Sequence, residues 1–330
     1  MTQKEAHASD PLAFLEPIMR RCGAVCSPEE FQAAVNVTFH GFESEVYDEI
    51  HQDMWRSLPP IFDLFAGDCL ASAQLPDALA MLDIGCGTGL ASDSILKSRL
   101  GPRVRSIDLL DTSPKMLARA TERSRKWGVP VRTYEGILDS IPDSNRYDLI
   151  VTCSVLHHVP DIPGFVNNVA RLQPAGGIFL HLQDPNADAA ADPEFRKRCA
   201  MVSKSVPEWL ARLAPRRIAG RIWRELTGHQ GDDYISKTNR ELLGRSVIAR
   251  PLTAAELFSI TDIHIHDQQG ISVSRLKDLM PSYTLISQRT YGFFGILRSS
   301  LPASLQSQED AWIVEGALNG GHVGAAWLRR

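Results

Sequence analysis

The period of the apolar positions changes along the chain, and the changes divide it into segments. From about residue 11 to 75 the spacing is helical. In FESEVYDEIHQDMWRSL, Val46, Ile50 and Met54 stand four apart, with Tyr47, His51 and Trp55 on a neighbouring stripe. Leu58-Pro59-Pro60 predicts a break, after which IFDLFAGDCLASA resumes the helical spacing. From residue 78 short apolar runs take over. ALAMLDI (78–84), RVRSIDLL (103–110), VPVRTYEG (129–136), YDLIVTCSVL (147–156) and GGIFLHLQD (176–184) read as five strands. Single helical stretches separate them. One of these, SPKMLARATERSRKWG, opens with Ser113 as cap and Pro114 in its first turn and closes at Gly128. Strands alternating with helices predict a parallel sheet covered on both faces, with ligands at the carboxyl ends of its strands. From about 185 to 262 the texture is helical again. Strand-like runs return in DIHIHD (262–267), SYTLISQRTY (282–291) and AWIVEGAL (311–318), with a helix, SRLKDLM, between the first two. The expected organisation is an N-terminal helical cover (1–75), an α/β core (76–185), a helical lid or substrate insert (186–262) and C-terminal strands completing the sheet (263–330).

Bulk composition alters this picture little. A net charge of -4 and a pI near 6.2 give no global attraction to nucleic acid, so a nucleic-acid partner is not expected. No apolar run reaches bilayer length, and the start, MTQKEAHASDP, is polar and unlike a secretory signal. The six cysteines include no CxxC pair, which suits reduced thiols and a cytoplasmic protein without a membrane partner. One local exception matters. Between residues 194 and 250 there are thirteen Lys/Arg against six Asp/Glu. Such a positive insert could draw in an anionic small molecule through Arg196, Arg198, Arg216 and Arg217, or form a solvated helix surface balancing an acidic core. Docking of RNA is a further reading, weakened because few aromatics interleave the basic residues beyond Trp209 and Trp223.

The chemistry concentrates in LDIGCGTGLAS. Gly85-x-Gly87-x-Gly89 follows the first strand and lets the backbone approach a ligand closely. The spacing is not the GxGxxG of a dinucleotide site, and Asp83 just ahead of it would repel a pyrophosphate. An ammonium or sulfonium would be attracted instead. Asp111, 22 residues beyond Gly89, ends the second strand where a carboxylate can accept from a pair of ribose hydroxyls. Asp108 competes for that role but lies inside the strand.

LDIGCGTGLAS, DTSPKML and YDLIVTCSVLHHVPD, in this order and spacing, resemble the class I S-adenosylmethionine-dependent methyltransferases. The resemblance covers roughly residues 40–185. It implies a Rossmann-like seven-stranded sheet, ended by an antiparallel edge pair, and S-adenosylmethionine as cofactor. It implies that Gly85, Gly87 and Gly89 lie under the methionine part, that Asp83 reaches the amino group, and that Asp111, with Thr112 beside it, takes the ribose. Tyr47 in ESEVYDEI would close over the cofactor from outside, and Ser154 would border it after the fourth strand. Where many relatives carry a carboxylate for the adenine amino group this chain has Ile137, so Asp139 or the backbone of Leu138 would serve.

Methyl transfer needs alignment more than a fixed catalytic residue, and a general base is required when the nucleophile must lose a proton. His157, in the loop after the fourth strand, is the leading candidate for base or substrate contact, and His51, one turn beyond Tyr47, the second. His181 reads as a satisfied core histidine and Asp184 as facing the site mouth. His264 and His266 alternate with isoleucines and read as a solvated strand face; two histidines without a third ligand do not make a metal site. Cys22 and Cys26, an i, i+4 pair, could meet on one helix face, but an idle pair is the better reading. The expected function is methyl transfer to O, N, S or C of a small metabolite, anionic ones included. A tRNA or protein methyltransferase and a non-catalytic cofactor-binding partner are the alternatives.

Overall fold

The computed structural model describes residues 11–190, 192–204, 233–264 and 270–330. Seven strands form one sheet: β1 (Leu79–Ile84), β2 (Val104–Asp111), β3 (Val131–Glu135), β4 (Leu149–Cys153), β5 (Ile178–Pro185), β6 (Tyr283–Tyr291) and β7 (His322–Arg329). Their order across the sheet is β3-β2-β1-β4-β5-β7-β6. The first five are mutually parallel, while β7 runs antiparallel to both β5 and β6. The strand order reverses between β1 and β4, both of which begin beside the centre of the sheet. The cleft of an open α/β sheet forms at such a reversal, at the strands' carboxyl ends.

Thirteen helices longer than a 3₁₀ turn are described around this sheet. The N-terminal ones are α1 (Leu15–Cys22), α2 (Pro28–Glu43), α3 (Tyr47–Ile50) and α4 (Gln52–Ser72). The crossovers carry α5 (Leu90–Lys97), α6 (Pro114–Ser124) and α7 (Ile162–Leu172). Then come α8 (Ala187–Ala190), α9 (Pro193–Lys204), α10 (Tyr234–Gly244), α11 (Ala254–Thr261), α12 (Val273–Leu279) and α13 (Ala303–Glu315). One face of the sheet packs on α4 and α5 through Leu58, Phe62, Phe65 and Ile95; the other packs on α7 and α12 through Val166, Val169 and Leu276. A third apolar cluster joins the two ends of the cover. Leu15, Phe31, Val35 and Phe39 from α1 and α2 meet Leu242, Leu257 and Ile260 from α10 and α11. Arg21 fastens the same contact by a two-pronged bond to Glu256 (2.5 and 2.6 Å). The helices over the cleft therefore come from two distant stretches of chain.

Local signals explain the termini. Ser113 accepts the N–H of Met116 and caps α6 behind Pro114, as its spacing predicts. Ser27 with Glu30 and Thr253 with Glu256 form capping boxes at the starts of α2 and α11. Four expectations are corrected. Pro59 and Pro60 do not break the chain but lie inside α4, whose apolar face (Met54, Leu58, Ile61, Phe62, Phe65, Cys69) is fully engaged by the sheet and outweighs the missing N–H groups. AWIVEGAL is not a strand: most of it is the last turns of α13, which ends at Gly316 in the left-handed region. Asp262 ends α11, and Ile263 and His264 continue as a helical turn, so the described part of the strand expected over 262–267 is not extended; residues 265–267 lie outside the described residues. Finally, β7, missing from the sequence reading, has Val323, Ala325, Ala326 and Trp327 all buried, which erases the two-residue alternation.

Candidate active site

The loop after β1 turns through three left-handed glycines, Gly85 (φ +61°), Gly87 (+53°) and Gly89 (+92°). A Cβ on Gly85 would stand 2.6 Å from Val155 Cγ2, so the loop has room for hydrogen alone there. Gly85 and Gly87 line a large cleft of about 2450 Å³. That exceeds a pocket for one drug-sized ligand (roughly 300–1,000 Å³) and has room for a nucleoside with an acceptor beside it. Gly89 does not line the cleft; it starts α5 and faces Trp127 and Arg123 from behind.

Asp83 is fully buried beneath this loop. Its Oδ2 accepts the N–H (3.1 Å) and the hydroxyl (2.6 Å) of Ser92, while Oδ1 has no partner. Burial, with the charge of Asp111 nearby, pushes this carboxyl up to about 7 against the pull of the Ser92 bonds. Asp83, Tyr47, Gly85, Gly87 and Cys153 border a small void of about 20 Å³, enough for one water. Asp111 accepts the N–H of Gly87 (2.8 Å) with one oxygen and that of Ser113 (2.8 Å) with the other, and it lines the cleft. Each oxygen keeps a second acceptor direction. Asp108 is spent elsewhere, on Arg132 (2.9 and 2.8 Å) and the Tyr147 hydroxyl (2.6 Å), and does not reach the cleft. Thr112, Leu138, Asp139 and Ser154 also line it. Asp139 accepts from Asn168 (3.2 Å), and Ser154, itself left-handed (φ +59°), donates to Gln183 O (3.2 Å).

A second set of groups faces the same cleft. His157 is buried, with Nδ1 2.9 Å from Asp184 Oδ1; since a carboxylate accepts, that nitrogen donates. The hydrogen bond from His157, with the His181 ring 3.5 Å away, holds the Asp184 carboxyl well below the usual range in spite of its burial. The His158 ring packs on His157 (centroids 4.0 Å apart), and its Nδ1 lies 2.6 Å from Thr261 O. Burial, helped by the adjacent His157, pushes His158 down to about 3, so it is neutral. His40 and Glu43, one turn apart on α2, share a 2.9 Å bond, and His51 Nε2 stands 3.6 Å from Glu43 Oε1. Burial would raise Glu43, but the bond from His40, with His51 close by, holds it at about 2. Tyr47 stacks on His51 (4.4 Å), and His40 meets His158 edge-on (5.2 Å). Asp48 ties the α3 segment down by accepting from Thr88 (2.6 Å), Trp55 (3.1 Å) and Arg123.

The structure thus brings Tyr47, His51, Gly85, Gly87, Asp111, Thr112, Leu138, Asp139, Ser154 and His157 to one cleft, with Asp83 just beneath its floor. Other expectations fail. Asp184 is not at a mouth but wholly buried behind His157. His181 is in the core as expected, yet its nearest partner, Asp184 Oδ2, stands at 3.5 Å and neither ring nitrogen forms a hydrogen bond. His264 is buried and bonded to Val159 O (2.6 Å) instead of lying on a solvated strand. Cys22 closes α1 while Cys26 lies beyond Gly23, so the two share no helix face. Arg198 is a clamp, donating to Phe293 O (2.9 Å) and Asn319 O (2.8 Å) over Trp312, and does not face the cleft. Arg196 does not line it either. Arg216, Arg217, Trp209, Trp223 and His266 lie outside the described residues. Missed altogether were His40, Glu43 and Asp262. The H-x-x-E spacing of the first two signals one helix face; nothing local marks Asp262.

Residues 82–179 match the family model of a methyltransferase domain. A ubiquinone biosynthesis O-methyltransferase of Rhizobium johnstonii is 30% identical over 230 residues, 66% of this chain and 76% of that protein. One of Methylobacterium nodulans is 33% identical over 108 residues, 32% of this chain; the match spans 40% of that relative's length. Among solved structures, the plantazolicin methyltransferase BpumL in complex with SAH aligns over 92% of this chain and 97% of its own, at 12% identity and a TM-score of 0.47. The chain belongs to the class I S-adenosylmethionine-dependent methyltransferases. Among the described residues no helix is long and apolar enough to cross a membrane.

Proposed function

We propose that the protein transfers a methyl group from S-adenosylmethionine to a hydroxyl oxygen of a small molecule. The observation that carries this reading is the pairing, in one cleft, of a nucleoside-type cradle with a wall of imidazoles and carboxylates. The kinship with proteins named O-methyltransferases supports oxygen as the acceptor atom. When bound, the cofactor supplies a methyl group already carried on a sulfonium, so leaving-group activation comes with it.

The chain's own residues then have separable tasks. Asp83, with one buried oxygen unpartnered, is suited to the cofactor's cationic amino end, directly or through one water. Asp111 is held by the Gly87 and Ser113 amides in the pose of a double acceptor for ribose hydroxyls. Thr112, Leu138 and Asp139 border the adenine end, and Ser154 and Tyr47 flank the methionine end. The acceptor lies against His157, within reach of His51 and Tyr47, and its hydroxyl loses its proton on that side. Alignment by these walls is worth up to ~7–11 kcal/mol.

The test is to follow label from methyl-labelled S-adenosylmethionine into metabolite, RNA and protein fractions of a cell extract. Label in a metabolite that is released by ether-cleaving and not by ester- or amine-cleaving treatment is the expected result. Label in RNA or protein alone would overturn the proposal.

A further inference from the structure

We propose that His157, His158 and Asp262 form a binding site for a divalent transition-metal ion on the acceptor side of the cleft. One ring nitrogen of each histidine and one carboxylate oxygen of Asp262 lie within 4.8 Å of one another, and His157 and Asp262 are buried. His157 Nε2 stands 3.9 Å and His158 Nδ1 3.6 Å from Asp262 Oδ1. Donor atoms ~2.0–2.1 Å from a tetrahedral ion stand roughly 3.3 Å apart, so a small inward turn of the side chains completes the geometry.

The surroundings prepare these donors. Because His157 gives its Nδ1 proton to Asp184, its lone pair is on Nε2, the nitrogen turned toward Asp262. A carboxylate behind a histidine in this way fixes the ring and its tautomer for metal binding. His158 Nδ1 touches the Thr261 carbonyl (2.6 Å). Without an ion this nitrogen donates to the carbonyl; ligation moves the ring proton to Nε2 and turns Nδ1 from the carbonyl to the ion. Two imidazoles with one carboxylate favour Zn²⁺, Fe²⁺ or Co²⁺ over Mg²⁺ and Ca²⁺, which take oxygen ligands. No single stretch of sequence contains this set. His157 and His158 lie in the turn after β4, and Asp262 arrives at the end of α11, 104 residues beyond His158.

Three protein ligands leave a position open toward the cleft. On the function proposed above, the acceptor hydroxyl occupies it. The ion then stabilises the oxygen as its proton passes to solvent; the oxygen lone pair forms the new C–O bond, and sulfur keeps the electrons of the broken S–C bond. This last step rests on that function; the ion site itself does not.

The test uses the whole chain, stripped with a chelator and titrated with Co²⁺ while visible absorption reports four- or five-coordinate cobalt. Zn²⁺ content after reconstitution and desalting is measured in parallel. One equivalent of metal is expected. Asp262→Asn and His158→Gln, each checked by thermal melting of the metal-free protein, should weaken binding at least ~10-fold, and Asp184→Asn roughly 10–100-fold. Folded wild-type protein that takes up no stoichiometric metal, or folded Asp262→Asn and His158→Gln proteins that both bind as wild type does, would overturn the site. Affinity of the metal-free protein for S-adenosylhomocysteine is measured alongside. Its loss would count against the proposed function and leave the metal result to stand alone.

Discussion

The two halves of the cleft are built in opposite ways. The proposed cofactor half comes, Tyr47 and Ser154 apart, from one run of chain, residues 83 to 139, in which each strand end delivers its residue directly: Asp83 with Gly85 and Gly87 at the end of β1, Asp111 at the end of β2, Leu138 and Asp139 after β3. The acceptor half is assembled from four separate places: His40, Glu43, Tyr47 and His51 from the N-terminal helices, His157 and His158 after β4, Asp184 in β5, and Asp262 after α11. One half is written in motifs; the other exists only once the chain is folded. The difference teaches where a sequence reading stops. Backbone turns leave a local record, whereas tertiary contacts between distant side chains leave none.

The largest expected effect separates the halves. His157→Ala removes the group nearest the proposed acceptor and should lower turnover by ~10²–10⁴-fold while affinity for S-adenosylhomocysteine stays unchanged. Single-turnover rates and calorimetry would check the two readouts; a variant that loses cofactor affinity with its rate intact would erase the division. Gly85→Ala acts on the other half. Its Cβ would collide with Val155 Cγ2 at 2.6 Å, at φ +61°, so a cost of ~1–3 kcal/mol in urea unfolding and weaker cofactor binding are expected. Unchanged stability would mean that Val155 yields freely and the loop is not a tight cradle.

A subtler test concerns Asp83. Its carboxyl, raised to about 7 by burial, holds a proton more firmly when folded than when unfolded. Its contribution to the stability of the ligand-free protein is therefore fully present below about pH 4 and lost as pH rises through about 7. A cationic amino group beside it favours the ionised form, so affinity for S-adenosylmethionine should climb roughly fivefold between about pH 6 and pH 7 and then level off. The groups around Asp83 are Ser92, which donates to it, and Asp111, Tyr47, Cys86 and Cys153, none of them cationic. Affinity flat over that range would show that Asp83 faces no positive charge.

The same contrast explains what was legible. The five parallel strands, the glycine turn after β1 and the Ser113 cap follow from local pattern and are present in the fold; Asp111 lines the cleft while Asp108 does not, and of the three glycines Gly85 and Gly87 reach it. The edge of the sheet was read less well. β7 is buried on both faces and rich in Gly and Ala, so it shows no alternation, while the buried Glu309 and Ile313 of α13, four apart, were hidden by the apolar run AWIVEGAL. Pro59 and Pro60 sit inside a helix because packing of α4 against the sheet overrides the local penalty. In the acceptor half, His157 and His51 were visible, but their partners were not. Glu43 and Asp184 are ordinary acids until burial beside a histidine makes them counter-charges, and Asp262 reaches His157 and His158 only because the end of α11 folds against the turn after β4.

The central claim is that the cofactor is held by the loop after β1 together with Asp111, and calorimetric titration of S-adenosylhomocysteine into the wild-type protein and Asp111→Ala tests it most directly. Loss of acceptor bonds from a charged group, each worth ~1.5–3 kcal/mol, predicts binding by the wild type at one site and affinity weaker by at least ~10-fold in the folded variant. A wild-type protein that does not bind, or a variant that binds equally well, would contradict it.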